Sequence, residues 1–358
     1  MSAQVTTEFK DFYTQIGIEV GRRCNARCEH CITFSGPKNH SSMDRKMLER
    51  VIRDAAELGL PHIELTGGEP FLFRDQLEQT LTLGHHHGLT TGITTNSFWA
   101  IKIPEAVKLL QKLQSIGLVR LRFSIDQYHL NYIPLERVQT GIQAAINAGV
   151  ECVVEATVGR KDYRMYEAIQ ELRKLPVEVR VSELLPFGKA ADFPAESFLT
   201  HSFFEVAHSP CLTAGTPIVE SDGRVLLCCS YPVAQDTKDL GSPFVLGDAR
   251  SESLITILGR HLHNPLLRIL RYQGPGGLFR VLQAKYGAEH CPQRPVYPGG
   301  ICTLCADVMN SRAFRELWHA SVAQSDDSKT VLPPELLSRA QAANLVTIAP
   351  LGGCGSHA

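Results

Sequence analysis

Between residues 15 and 186 the chain alternates short runs rich in β-branched residues with longer amphipathic runs, and no other feature limits its fold so tightly. The strand-like runs are Ile16–Val20, His62–Leu65, Thr90–Thr94, Val119–Ile125, Glu151–Val158 and Val177–Leu184. The first intervening run places Met47, Leu48, Val51, Ile52, Ala55 and Leu58 on one helical face, with Asp44 near its start and Gly59 as a C-terminal cap. Later helices are expected to begin at Pro104 and Pro134, because the fixed φ of proline suits a first helical turn. Six strand–helix units imply parallel strands joined by right-handed crossovers. Six units suit a partial (β/α)6 barrel better than a closed barrel of eight. An open doubly wound sheet is the alternative, and periodicity does not separate the two.

After residue 187 the pattern changes. Residues 216–230 read as a hairpin turning at Ser221-Asp222-Gly223. Helical patterns follow at 253–271, 278–286 and 311–322, and the glycine-rich stretch near Cys354 reads as a flexible tail. The expected division is an N-terminal extension (1–14), a barrel (15–190), a small α+β domain (191–325) and a C-terminal helix and tail (326–358).

A formal net charge of −1 over 358 residues argues against bulk electrostatic attraction to nucleic acid or anionic membrane. The opening residues lack a basic start followed by an apolar run, and no apolar stretch approaches the ~18 residues that a membrane span needs. A soluble, cytoplasmic protein is expected. Eleven cysteines in a reducing compartment point to metal binding rather than disulfides.

The cysteines are not scattered. The loop after the first strand reads Cys24-Asn25-Ala26-Arg27-Cys28-Glu29-His30-Cys31. Three thiolates on a four-iron cluster leave one iron open to a ligand. A zinc site that recruits His30 competes with this reading. Three buried apolar cysteines compete less well, given the polar neighbours Asn25, Arg27 and Glu29. The loop after the second strand reads Thr66-Gly67-Gly68-Glu69-Pro70, two glycines that let backbone approach a ligand beside a carboxylate that can accept from an ammonium group.

Together, CxxxCxxC after the first strand and GGEP after the second resemble the radical S-adenosylmethionine (radical SAM) superfamily over roughly residues 15–186. The resemblance implies a partial (β/α)6 barrel and a [4Fe-4S] cluster on Cys24, Cys28 and Cys31. It also implies SAM chelated to the open iron, and reductive cleavage of SAM to a 5′-deoxyadenosyl radical that takes a hydrogen atom from substrate. By the same resemblance Gly67, Gly68 and Glu69 meet the methionine amino group, His30 lies near the adenine, and Ser124 contacts the ribose. Asn96, at the end of the third strand, is a further cofactor contact. Arg160 pairs with the methionine carboxylate, unless it is a solvated loop charge. Asp126, Tyr128 and His129 are substrate-contact candidates or an ordinary polar loop. Glu155 and Thr157 are expected to point into the barrel, His85-His86-His87 to lie on the surface at a helix end, and Cys152 to be a buried hydrophobe.

Cys211, Cys228 and the pair Cys302-Thr303-Leu304-Cys305 can close a four-thiolate site, which on its own suggests zinc. In this context they resemble the twitch domain, a shortened SPASM domain, and imply one auxiliary [4Fe-4S] cluster. Cys229, Cys291 and Cys354 are left over, so a second auxiliary cluster, or Cys291 as a ligand, stays open. The resemblance implies a ribosomal peptide substrate that is cross-linked, bridged by a thioether or epimerised. A small metabolite or sugar is the alternative, and a non-catalytic zinc or iron–sulfur protein the alternative of another class. An electron donor such as flavodoxin or ferredoxin is implied. A separate leader-peptide-binding protein is compatible with the 23 residues that precede Cys24.

Overall fold

The structure, a computed structural model, describes residues 9–228 and 241–324. Cys229, Cys354 and the expected tail lie outside the described residues. Strands β1 (Ile16–Glu19), β2 (His62–Thr66), β3 (Thr90–Thr95), β4 (Leu118–Ile125), β5 (Glu151–Val158) and β6 (Glu178–Glu183) match expectation to within one residue at either end. Each pairs in parallel with the next, in the order β1-β2-β3-β4-β5-β6. A doubly wound sheet would reverse its order at some point. A monotonic order with right-handed crossovers sends every helix to one side, which is the partial barrel.

The crossover helices are α1 (Arg45–Glu57), α2 (Arg74–His86), α3 (Ile103–Gln114), α4 (Leu135–Ala148) and α5 (Tyr163–Leu172). The Asp44 side chain caps α1 by accepting from Lys46 N and Met47 N, and the stripe Met47, Leu48, Val51, Ile52 and Ala55 is buried. Pro104 lies in the first turn of α3, while Pro134 takes the cap position of α4 rather than its first turn. His85, His86 and His87 are exposed at the end of α2. Cys152 is half-buried in β5 against the core.

An ion-pair chain crosses the strands. Glu64 of β2 accepts from Thr94 of β3 (2.8 Å) and lies 3.3 Å from Arg122 of β4, which reaches Glu155 of β5 at 2.8 Å. Arg180 of β6 approaches Glu155 at 3.7 Å. The last strand is largely exposed, so the barrel is open at β6.

Three strands of the C-terminal third join the barrel's own sheet. Strand β8 (Ile218–Val219) adds to β1 in parallel, and β9 (Arg224–Leu226) and β10 (Val245–Asp248) continue antiparallel into one nine-stranded sheet. The expected boundary near residue 190 is therefore not a break in the sheet. Buried Glu19, at the end of β1, accepts from Arg22 Nε (2.9 Å), Ser221 N (3.1 Å) and Ser221 Oγ (2.6 Å). Arg22 also reaches Glu220 at 2.5 Å, and Arg224 pairs with Glu220 at 2.7 Å. This network fixes the hairpin turn against the start of the cysteine loop. Burial, followed by the like charge of Glu19, pushes the Glu220 carboxyl up to about 7.

Two short strands, β7 (Thr200–His201) and β11 (Tyr297–Pro298), pair antiparallel and bring residues 200 and 298 together. Around them lie α6 (Phe203–Ala207), α7 (Leu254–Leu262), α8 (Pro265–Tyr286), α9 (Ile301–Asn310) and α10 (Arg312–Gln324). The helical run expected at 253–271 is broken at Asn264, whose side chain caps α8 by accepting from Leu266 N and Leu267 N. The run expected at 278–286 continues from α8 across a kink at Gly274 (φ 67°), next to Pro275. Helix α9, which carries Cys302 and Cys305, was not among the expected helices.

In α7, His261 is buried, stacks on Trp318 and donates from Nε2 to Leu246 O (3.0 Å). Its Nδ1 has no partner, so a second proton would have none either, and burial lowers its pKa to about 4. A depressed histidine pKa contributes stability that is complete above about 6.5 and is lost as pH falls through about 4. Denaturant melts at pH 7 and pH 4 should show wild type losing up to about 3 kcal/mol more than His261→Gln over that interval, the upper limit set by the pKa difference.

Candidate active site at the mouth of the barrel

The loop leaving β1 is shaped by its own backbone. Gly21 bridges Ser42, Arg23 bridges Gly36, and Cys24 N donates to Gly36 O at 3.2 Å. The loop presents Cys24 and Cys28, buried, and Cys31, half-buried. The sulfurs already receive donors. Ala26 N lies 3.4 Å from Cys24 Sγ, Ser35 N 3.3 Å from Cys31 Sγ, and Asn96 Nδ2 3.7 Å from Cys24 Sγ. Burial, opposed by the Ala26 N–H, pushes the Cys24 thiol up to about 11.

The GGEP loop is stitched to the cysteine loop. Gly68 N donates to Gly21 O (2.8 Å) and Glu69 N to Arg23 O (3.0 Å). A Cβ on Gly67 (φ +133°) would overlap Gly21 O, and one on Gly68 would overlap Arg23 O. The close approach that these glycines permit includes the cysteine loop's own backbone. The Glu69 carboxylate accepts from Thr95 Oγ1 (2.8 Å), Asn96 N (2.8 Å) and Phe71 N (3.2 Å), locking the loop to the end of β3. Burial pushes its pKa up to about 7.

These loops enclose a cavity of about 180 Å³ lined by the three thiols, His30, Gly67, Gly68, Asn96 and Ser124. Thr33, Ser35, Thr66, Thr94, Thr95 and His129 also line it. Glu69 and Arg160 are not among the lining residues. Arg160 lies instead beside a separate groove with Tyr163 and Tyr166, its N–H bonded to Ser197 O at 2.9 Å. Lys189, which sequence reading passed over, donates from its backbone to Cys31 O (3.2 Å) and from Nζ to Ser35 O (2.9 Å). It closes the segment after β6 over the cysteine loop.

Asp126, at the end of β4, is turned inward. One carboxylate oxygen accepts from Tyr128 N (2.9 Å) and His129 N (2.8 Å), and the other lies 2.6 Å from His129 Nδ1 and 2.9 Å from His30 Nε2. Tyr128 stacks on His30 with ring centroids 4.7 Å apart.

A second cavity, of about 380 Å³, shares His30 and Ile32 with the first. Its wall adds Thr157, Ser182 and Glu183 from the ends of β5 and β6, apolar Leu184, Leu185 and Phe187, and Cys302. His201 holds Glu183 at 2.8 Å.

Cys302 belongs to the second thiol group. Burial, and then the charges of Cys211, Cys228 and Cys302, push the Cys305 thiol well above its ordinary range, so the three lie within electrostatic reach of it. Cys291 is buried elsewhere, its thiol 3.8 Å from Phe279 O and 3.7 Å from Gly287 O. Among the described residues, the group of three candidate ligand atoms lying within 4.8 Å of one another is His30, Asp126 and His129. Neither thiol set is so closely drawn, whereas thiolates on one zinc at ~2.3 Å would stand roughly 3.8 Å apart. Soft donors gathered under burial, at wider spacing, fit an iron–sulfur cluster in the first set.

Gly68→Ala should force the cysteine loop away from the GGEP loop. Iron content after anaerobic reconstitution should fall by at least about half while far-UV circular dichroism stays unchanged, because the overlap is confined to these two loops.

Residues 18–179 match the family described as the Radical SAM superfamily. The Bacillus subtilis protein named Putative peptide biosynthesis protein YydG is 23% identical over 302 residues, spanning 83% of this chain and 92% of that one. Molybdenum cofactor biosynthesis protein 1 of Bos taurus is 30% identical over 202 residues, 52% of this chain and 31% of that protein. The structure of histidine-tagged anSMEcpe with bound AdoMet superposes with a TM-score of 0.51 at 15% identity, covering 92% of this chain and 98% of that one. Superfamily members use a [4Fe-4S] cluster and SAM, and the donor set at the barrel mouth suits both. The family match spans the strands that carry both loops, and residues 18–179 are accordingly a radical SAM domain.

Proposed function

We propose that the chain carries out an oxidative modification of a peptide. The observation that carries this reading is the similarity to YydG, named for peptide biosynthesis, which runs through nearly the whole of both chains. Similarity to the molybdenum cofactor protein covers only about half of this chain and speaks for shared cofactor chemistry rather than a shared substrate.

In this reading Cys24, Cys28 and Cys31 hold the first cluster, and SAM occupies the cavity between them and Gly67, Gly68, Asn96 and Ser124. Bound there, cluster and cofactor supply hydrogen-atom abstraction from an unactivated C–H bond. The chain's residues orient the substrate and keep water and stray hydrogen donors out. The second cavity suits a peptide segment. Its apolar wall of Ile32, Leu184, Leu185 and Phe187 takes a side chain, and Thr157, Ser182 and the Glu183–His201 pair take polar backbone groups. Cys211, Cys228, Cys302 and Cys305 hold one auxiliary [4Fe-4S] cluster beside this cavity, with Cys291 outside it. A flavodoxin or ferredoxin serves as the electron donor, and a separate protein presents the leader of the peptide.

Reconstituted protein with dithionite and SAM should release 5′-deoxyadenosine, and Cys24→Ala, Cys28→Ala or Cys31→Ala should reduce release to background. Wild type should hold about eight irons per chain, and the triple variant about four. Cys302→Ala should retain SAM cleavage while peptide modification falls to background. Mass spectrometry of a peptide product should show loss of two hydrogens. Normal product formation by Cys302→Ala would remove the auxiliary cluster from the mechanism, and turnover of nucleosides or sugars in place of peptides would overturn the substrate assignment.

A further inference from the structure

A lysine from the segment after β6 grips the cysteine loop at both ends of a strained turn. The turn runs from Cys31 to Ser35. Within it Phe34 has φ 54°, a left-handed conformation that a bulky side chain rarely adopts. Phe34 is exposed, so little packing holds it there. Such a conformer persists where the bonds around it over-determine the backbone. Cys31 O accepts from Phe34 N (3.4 Å) and from the backbone N–H of Lys189 (3.2 Å), and Lys189 Nζ donates to Ser35 O (2.9 Å). Gly188 lets the lysine sit this close. Its φ is +61°, and a Cβ there would lie 2.5 Å from Ile32 Cα and 2.8 Å from Cys31 O. The closed turn aims donors at one sulfur. Ser35 N lies 3.3 Å and Thr33 Oγ1 3.5 Å from Cys31 Sγ. A thiolate on iron carries no proton, so it accepts in both contacts and the Thr33 hydroxyl donates. Ser35 Oγ, 2.7 Å from Thr33 Oγ1, then donates to that hydroxyl in turn.

A hydrogen bond to a cluster sulfur stabilises the more negative, reduced state, so donors around the thiolates raise the reduction potential. We propose that Lys189 is a positioning residue. By holding Cys31 O and Ser35 O it keeps the strained turn closed, so that Ser35 N–H and the Thr33 hydroxyl stay on the Cys31 sulfur and the first cluster is easier to reduce. Leu184, Leu185 and Phe187, just before Lys189, line the second cavity, so one stretch of chain serves both that cavity and the cysteine loop. The inference rests on Cys24, Cys28 and Cys31 being cluster ligands. If they are not, wild-type protein lacks a SAM-sensitive iron signal altogether, an outcome distinct from failure of the present inference.

The test is a potentiometric measurement on the full chain, reconstituted anaerobically and followed by electron paramagnetic resonance. The first cluster is recognised by the change in its signal on adding SAM. Lys189→Met, compared at equal iron content, should move the midpoint to more negative values. Lys189→Arg, which keeps a cationic donor, should stay near wild type. Loss of the charge alone would also lower the midpoint, so two further variants separate charge from positioning. Gly188→Ala keeps the lysine but pushes it off the loop, and should shift the midpoint in the same direction. Adding Phe34→Gly to Lys189→Met removes the strain that the lysine holds, and should return the midpoint most of the way to wild type. A purely structural role would lower occupancy without moving the midpoint of the clusters that form. An unmoved midpoint in Lys189→Met therefore overturns the proposal, and so does a shift that Phe34→Gly fails to reverse. Should Lys189→Met fail to load iron, Gly188→Ala carries the same test, and an unmoved midpoint or a failure to load there overturns it equally.

Discussion

Two backbone hydrogen bonds, from Gly68 to Gly21 and from Glu69 to Arg23, join the loops on which the site depends. They form because β1 and β2 lie side by side in parallel, with Glu19 opposite Thr66, so the chain leaves both strands at the same end and level. Side chains at Gly67 and Gly68 would hold the loops apart. From that seam the contacts extend around the barrel mouth. Glu69 grips the end of β3, and Asn96 at that end reaches back to Cys24 and to Asn25. The first three strand ends thus close a ring of hydrogen bonds around the cavity, and the fourth joins it through Asp126.

The same short stretch faces the other way too. Glu19 and Arg22, at the root of the cysteine loop, hold the turn between β8 and β9 through Ser221 and Glu220. Cys228 lies two residues beyond β9. A buried carboxylate pair with two arginines is costly to desolvate and is held only while every member is paired, so removing one member is strongly destabilising. The C-terminal third is therefore not an appended body beside the barrel. It is continuous with the barrel's first strand and helps to hold that strand's exit loop.

Much of this was legible in the residues. The six strands, their helices and the hairpin followed from period and turn chemistry because each is specified by neighbours a few positions away. The donor set of the first loop was likewise readable, since the spacing of Cys24, Cys28 and Cys31 carries the chemistry itself. The break at Asn264 was also present in the sequence, as an asparagine cap followed by Pro265 at the first helical position, but the apolar period running across it hid the signal. Helix α9 escaped because the two cysteines within it read as ligands.

The sequence by itself determined which elements form and which side chains can hold a cluster, because propensity, period and ligand spacing are local properties. Only the tertiary structure decided between partial barrel and doubly wound sheet, since strand order is a matter of which distant segments pair. It alone decided that the GGEP glycines admit a neighbouring backbone, that Arg160 lies at a separate groove, and that Asp126 turns toward His30 and His129. It alone brought Cys211, Cys228 and Cys302 within electrostatic reach of Cys305 while leaving Cys291 against the carbonyls of Phe279 and Gly287. Those outcomes depend on contacts between residues tens to hundreds of positions apart, where the direction of a side chain is set by what packs against it and no local preference encodes the choice.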